Sequence, residues 1–363
     1  MPFGSVSTDS ITDSSGGVLA PSSSVFRNRI INGDMRIDQR NAGASVTPTT
    51  TAYNLDRWQT YVIAASKFSV QQNAASVTPP VGFTNYLGIT SLTALSVASS
   101  DFYALLQSIE GYNIADLGWG TANAATITLS FWVRSSLTGT FGGSLRNNDG
   151  TRSYPFTYTI SAANTWEKET ITIAGDTSGT WLKTNGVGVN VNFGLGVGST
   201  LSGTAGAWAA GNFISATGAV NPLATNSSTF YITGVQLEKG STATSFDYRP
   251  YGTELQLCQR YLPAFIAEST LDSIGNAVVT AGTLAYLTLK FPVSARTRPT
   301  GLTASASTIV NVVTIASTAL GFNNAGTEYG TITVTSAGMT VGTAATTYLN
   351  TAGSKLLFTG CEL

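Results

Sequence analysis

Apolar and polar positions alternate with a period of two through most of the chain. In the run from Ala124 to Arg134, Ile127, Leu129, Phe131 and Val133 fall on one face and Thr126, Thr128, Ser130 and Trp132 on the other. A strand with one buried face produces that pattern. Shorter runs of the same kind occupy 67–71, 83–89, 166–173 and 187–195, and Arg29-Ile30-Ile31-Asn32 is expected to open the series as its first strand. The runs 140–145 and 153–160 flank Asn147-Asn148-Asp149-Gly150, whose final Asp-Gly pair predicts a β-hairpin. The run 230–238 closes the series, with Tyr231, Thr233, Val235 and Leu237 expected on one face and Phe230, Ile232, Gly234 and Gln236 on the other. About eight to ten such strands, separated by Gly, Asn and Thr, predict a jelly-roll β-sandwich.

The period changes after Lys239-Gly240-Ser241. Residues 253–260 have the composition of a short helix with Thr253 as its cap. Beyond it, alternation returns at 283–289, 302–306, 310–315, 329–334 and 355–358, which predicts a second, smaller β domain. The chain therefore divides into an extended docking arm (1–25), a sandwich (26–250), a helical linker (251–262) and a C-terminal β domain (263–363). The last of these is sparse in large side chains, so it is expected to bury further surface in an oligomer. The overall class is all-β.

Composition narrows the chemistry. Hydrophobic residues make up 42% of the 363 positions, enough for real cores, but only 10% are charged, against about 25% in an ordinary soluble domain. Eighteen basic and nineteen acidic residues give a net charge of −1 with no basic cluster, so nucleic acid is not an expected partner. The absence of histidine removes Ser-His-Asp and Cys-His catalysis and all histidine metal sites. The two cysteines, Cys258 and Cys361, are too few for a disulfide framework. The N-terminus has no signal-peptide pattern and no apolar run is long enough to cross a bilayer, so the chain is expected to be made in a cytoplasm and not to insert into a membrane.

Several segments carry a resemblance. VQLEKG followed by TSFDYRPYGTELQLCQRYL, together with Asn28 to Met35 and Leu55-Asp56-Arg57-Trp58, resembles virion proteins of tailed bacteriophages in which a carbohydrate-binding-module-like jelly roll leads into a C-terminal β domain. Lys290-Phe291-Pro292-Val293 and Arg298-Pro299-Thr300 resemble the second module. The resemblance implies a virion component, a homotrimer, docked on other phage virion proteins through the N-terminal arm. Its implied role is a tail fibre that recognises host-surface polysaccharide, with a capsid decoration or head-fibre protein as the alternative and a glycan-degrading tailspike as a third class. Modules of this kind often hold a structural calcium near the first strand, where Asp34 is the candidate ligand, but the last strand lacks the family's aspartate, so no cofactor is expected.

Sugar binding needs flat aromatic faces beside amide, carboxylate or hydroxyl groups. Trp119, Trp181 and Trp208 lie in glycine-rich turns, and with Tyr112 and Asn113 they are the candidate sugar-contact residues. Trp58 and Trp132 sit in strand patterns and are assigned to the core or its edge. The long Gly/Ala/Ser/Thr stretch 196–228 that holds Trp208 is the first candidate contact surface. Glycoside hydrolysis needs two carboxyl groups opposed across a cleft. Glu167 and Glu169 share one strand face instead, so the expectation is a binder and not an enzyme. The neighbouring pairs Asp56/Arg57 and Asp247/Arg249 are read as ordinary exposed ion pairs, each stabilising by about 0–1 kcal/mol.

Overall fold

The computed structural model describes residues 26–305, 307–310, 314–317 and 319–363, with the short paired strands Ile11–Thr12 and Val18–Leu19. The rest of the expected docking arm lies outside the described residues.

The sandwich is built from β1 (Ala52–Leu55), β2 (Trp58–Tyr61), β3 (Phe68–Gln72), β4 (Leu87–Ser91), β5 (Phe102–Glu110), β6 (Ile127–Ser135), β7 (Gly139–Arg146), β8 (Arg152–Ile160), β9 (Glu167–Ile173), β10 (Val187–Val197), β11 (Ala209–Ala210) and β12 (Thr229–Lys239). Seven of these form one sheet in the order β11-β8-β7-β10-β5-β2-β1, and five form the other, β9-β6-β12-β4-β3. The chain crosses repeatedly from one sheet to the other, as the expected jelly roll requires. The inward side chains of both sheets, among them Phe131, Phe141, Phe193, Val191, Leu129 and Ile232, make one core. The β7–β8 hairpin forms in register from Arg146 opposite Ser153 to Gly139 opposite Ile160.

Helix α1 (Tyr251–Gln259) follows, starting two residues before the expected Thr253 cap, with Pro250 at the cap position and no side-chain capping bond. Proline suits a helix start because the first amides have no intrahelical partner. The second unit contains β13 (Ala264–Ile266), β14 (Asp272–Ala281), β15 (Leu284–Lys290), β16 (Gly301–Ala304), β17 (Ser307–Val310), β18 (Thr314–Ala316), β19 (Ala319–Ala325), β20 (Tyr329–Thr335), β21 (Ala344–Leu349) and β22 (Lys355–Thr359). These strands form a seven-stranded sheet, β18-β17-β21-β14-β15-β20-β19, and a three-stranded one, β13-β22-β16. Its core contains many small residues, such as Ala277, Ala285 and Ala345, around Leu287, Ile332 and Phe358. The all-β class holds throughout, with α1 as the only α-helix among the described residues.

Three expectations are corrected. First, β12 does not keep one phase. Its register against β6 shifts between Thr233 and Gln236, and Gly234 lies at φ +61°. This bulge moves the second half of the strand by one residue, so Phe230, Ile232, Val235 and Leu237 all enter the core. A Cβ at Gly234 would lie 2.6 Å from the Phe83 ring, so the turn in the strand needs glycine both for its φ and for space.

Second, 29–32 forms no strand; it is an irregular segment bonded side by side to the bulge. Asn28 Nδ2 donates to the Val235 carbonyl at 3.0 Å, and Asn28 Oδ1 accepts from Leu237 N and Ile30 N, each at 3.0 Å. The Arg29 amide donates to the Leu237 carbonyl at 2.9 Å.

Third, the neighbouring acid–arginine pairs are neither exposed nor paired with each other. Arg249 is buried and bonds Glu254, with Nη1–Oε2 at 3.1 Å, while also donating to the carbonyls of Ile30 and Asn28. Arg57 is buried and pairs with Glu362, and its guanidinium lies 3.6 Å over the Tyr261 ring. Asp56 instead accepts from the Gln39 amide and side chain, both at 2.7 Å. Burial drives its pKa up to about 6. The sequence puts acid and base side by side, but each is taken by a more distant partner: Asp247 accepts from the Asn28 amide at 3.1 Å, and Arg57 lies at φ +69° in a turn that separates it from Asp56.

Across the joint, Glu362 also bonds Arg40 at 2.6 Å, and Glu110 on β5 accepts from Arg260 at 2.7 Å and from the Tyr261 hydroxyl at 2.7 Å. Breaking a buried pair leaves an uncompensated charge, which costs about 3–5 kcal/mol. Glu254→Ala, which strands Arg249, is therefore expected to lower stability by about that amount in urea unfolding, with an unchanged m-value. A loss below about 1 kcal/mol would place Arg249 among ordinary surface pairs.

Candidate functional site

At the end of β5 the chain makes two consecutive 3₁₀ turns, Gly111–Asn113 and Ala115–Leu117. The first is tied to the 182–186 loop: Gly111 N donates to the Gly186 carbonyl at 2.8 Å and Tyr112 N to the Thr184 carbonyl at 3.0 Å. The second is pinned by charge. Asp116 receives both terminal nitrogens of Arg29, at 2.6 and 2.9 Å, and Lys239 Nζ lies 3.7 Å away. Those bonds from Arg29 hold the Asp116 pKa below the ordinary aspartate value, against a smaller opposing effect of burial. Arg29 also donates to the Asn113 carbonyl.

Tyr112 stands out from this braced turn with 61% of its surface exposed. Asn113 beside it lines a groove of about 320 Å³, together with Phe26, Asn28, Arg29, Ile31, Arg249 and Leu257. An exposed aromatic face, an amide, fixed charges and a partly apolar groove thus lie within one small region. Such a mixture suits a polyhydroxylated ligand, whose ring faces are apolar and whose edges are polar. Of the expected sugar-contact residues, Tyr112 and Asn113 lie on this turn, and Arg29, Asp116 and the groove were not among them. Asp116, three residues beyond Asn113, was the available signal.

The three tryptophans do not join Tyr112. The expectation that glycine-rich turns leave them uncovered is corrected for two of them: Trp119 is 2% exposed and Trp181 5%, while Trp208 is half-buried. Their rings cover one another edge to face, Trp119 and Trp181 with centroids 4.7 Å apart and Trp208 5.3 Å from both. Trp208 also meets Tyr154 of β8 at 5.4 Å. Each indole N–H is taken by a backbone carbonyl, of Ala125, Ser178 and Ala174 respectively. Three turns distant in sequence converge, and their aromatic rings close the edge of the sandwich beside β8. The stretch 196–228 is itself folded: β11 pairs with β8 at its edge, and Ser202–Gly203 pairs with Ser215–Ala216.

Trp58 is fully buried, and Trp132 is half-buried on the outer face of β6. Asp34 is buried and forms an ion pair with Arg36, Oδ2 to Nε at 2.9 Å. Burial raises its pKa to about 6, with the Arg36 charge opposing and Glu254 adding to the rise. No group of three or more His, Cys, Asp or Glu placed to hold a metal occurs among the described residues, so for the implied calcium Asp34 supplies a single carboxylate already engaged by an arginine.

The two kinds of aromatic separate in a stability measurement. Trp119→Ala removes a buried ring and is expected to cost about 3–5 kcal/mol. Tyr112→Ala removes an exposed one and is expected to change stability by no more than about 0.5 kcal/mol. Equal losses in chemical denaturation would contradict the assignment of one to the core and the other to the surface.

No protein-family model matches the sequence, and no curated protein matches it. Among solved structures, the chain is similar to the enzymatically active domain of tailspike protein 4 of bacteriophage CBA120, at 13% identity and a TM-score of 0.30 over 59% of this chain and 22% of that one. It is similar to a family 11 carbohydrate-binding module from Clostridium thermocellum, solved in complex with a β-1,3-1,4-mixed-linked tetrasaccharide, at 12% identity and a TM-score of 0.27 over 55% of this chain and 97% of that one. It is also similar to the CBM22-1 and GH10 modules of xylanase 10B from the same organism, complexed with xylohexaose, at 12% identity and a TM-score of 0.27 over 56% and 29%. The chain thus spans less than a quarter of the tailspike chain and nearly all of the family 11 module.

Proposed function

We propose that this chain is a bacteriophage virion protein, a tail-fibre component that holds host-surface glycan at the Tyr112–Asn113 turn. The observation that carries the reading is the rigid presentation of an exposed tyrosine. Tyr112 is 61% exposed, yet its backbone is bonded to the 182–186 loop and its neighbour Asp116 is clamped by Arg29. A braced aromatic face binds a sugar ring with little loss of conformational entropy. The resemblance of the opening and closing segments to phage modules supports the virion assignment.

The reading is of a binder. A glycosidase acid must hold its proton near neutrality, which requires a raised pKa. Asp116, the carboxylate on the turn, is pushed the other way by Arg29.

The reading includes a trimer joined through the C-terminal unit. The outward face of its large sheet carries Asn276, Val278, Tyr286, Thr288, Thr333 and Thr346 in register, with Val278 58% exposed. Sheet faces that are lightly apolar and carry few charges, here Lys290 at one end, are suited to burial against a second copy.

Labelled full-length protein, measuring as a trimer by light scattering, is expected to bind host cells saturably, and Tyr112→Ala to weaken that binding at least tenfold. Binding that is absent, or unchanged in the variant, would overturn the assignment of the site.

A further inference from the structure

The groove beside the Tyr112 turn holds donors that the protein itself leaves unused. Of its lining residues, Arg29 and Arg249 each keep a buried Nε–H with no acceptor among the described residues. Arg36, Arg40, Arg57 and Arg146 share that feature, but here two such donors meet on the walls of one groove. Arg249 is only 7% exposed, so bulk water does not stand in for the missing acceptor. A buried donor without a partner is costly, and a ligand that supplies the acceptor recovers that cost. At the exposed rim, Asn113 gives its backbone carbonyl to Arg29, while its side-chain amide bonds no described residue.

The charges of the groove, by contrast, are already met. Asp116 takes both terminal nitrogens of Arg29, and Glu254 takes Nη1 of Arg249. What the groove lacks is a neutral acceptor and not an anion. Its remaining walls are largely apolar: Phe26, which is half exposed, with Ile31 and Leu257. At about 320 Å³ it lies at the lower end of small-molecule sites, which suits one sugar with its substituent better than a run of rings.

We infer that this groove selects N-acetylated amino sugars, a specificity that rests on the glycan-binding reading of the Tyr112 turn. One ring lies against Tyr112 and its acetamido group enters the groove. The carbonyl oxygen accepts from the arginine Nε groups, the acetamido N–H donates to the Asn113 side chain, and the methyl packs against Phe26, Ile31 and Leu257. A free amine supplies no such acceptor and is repelled by two guanidinium groups. A hydroxyl on the same carbon leaves the apolar wall empty, and a carboxylate finds both arginines already neutralised.

The test is calorimetric titration of the full-length protein with three β-1,4-linked trimers that differ only at carbon 2, those of N-acetylglucosamine, glucosamine and glucose, and with the galacturonic acid trimer as the anionic probe. The N-acetylated trimer is expected to bind at least tenfold more tightly than each of the others. Leu257→Trp, which fills the groove, is expected to abolish that preference, and Phe26→Ala, which removes an apolar wall, to weaken it. Phe26 is half exposed, so its variant decides the question if Leu257→Trp does not fold. Equal binding of the N-acetylated and glucose trimers, tighter binding of the glucosamine or galacturonic acid trimer, or a preference untouched by the folded variants would overturn the inference. So would the failure of every trimer to bind a protein that still binds host cells through Tyr112. Titration of Tyr112→Ala separates this claim from the one beneath it. Binding that depends on Tyr112 without any preference sinks the groove assignment alone, whereas the absence of host-cell binding sinks both.

Discussion

The guanidinium of Arg249 lies buried between the carbonyls of Asn28 and Ile30 on one side and the carboxylate of Glu254 on the other. That single group ties the opening segment of the sandwich to the helix that leaves it. Glu254 in turn accepts the Asn32 amide, and Asn32 reaches the carbonyls of Ile37 and Asp56. A buried cation tolerates no loosening, because each lost acceptor leaves a desolvated donor. The position of α1 follows from it.

The low charge content of the chain therefore has a structural location. Arg249–Glu254 fixes the opening, Arg57 and Arg40 meet Glu362, and Arg260 meets Glu110. Arg296 adds bonds to the carbonyls of Asn185, Cys361 and Glu362. Much of the scarce charge sits at the joint between the two β units, and the outward sheet face of the second unit carries Thr, Val, Asn and Tyr. Ionic groups at a joint set geometry more than they add stability, since desolvation offsets most of their attraction. At the Tyr112 turn the same device, Arg29 on Asp116, keeps an exposed aromatic in place.

How much of this was legible depended on range. The alternation of Ile127, Leu129, Phe131 and Val133 is local, and β6 forms where it predicts, as does the Asp-Gly hairpin. Gly234 was not readable as a bulge: a strand glycine looks the same whether or not the register slips, and the reason for it here is the Phe83 ring from 151 positions earlier in the chain. The partner of Arg57 is 305 residues away while an aspartate sits next to it, so adjacency misled. The burial of Trp119 and Trp181 was hidden for a related cause. Each turn taken alone leaves its indole bare, and only the meeting of three turns covers them. Tyr112 was legible because exposure on a short turn needs no distant partner.

The central claim is that buried charges across the joint make the two β units one cooperative body. Differential scanning calorimetry of the full-length chain tests it directly. The account predicts a single transition whose calorimetric and van't Hoff enthalpies agree. Two separate transitions, with the sparsely packed C-terminal unit melting first, would contradict it.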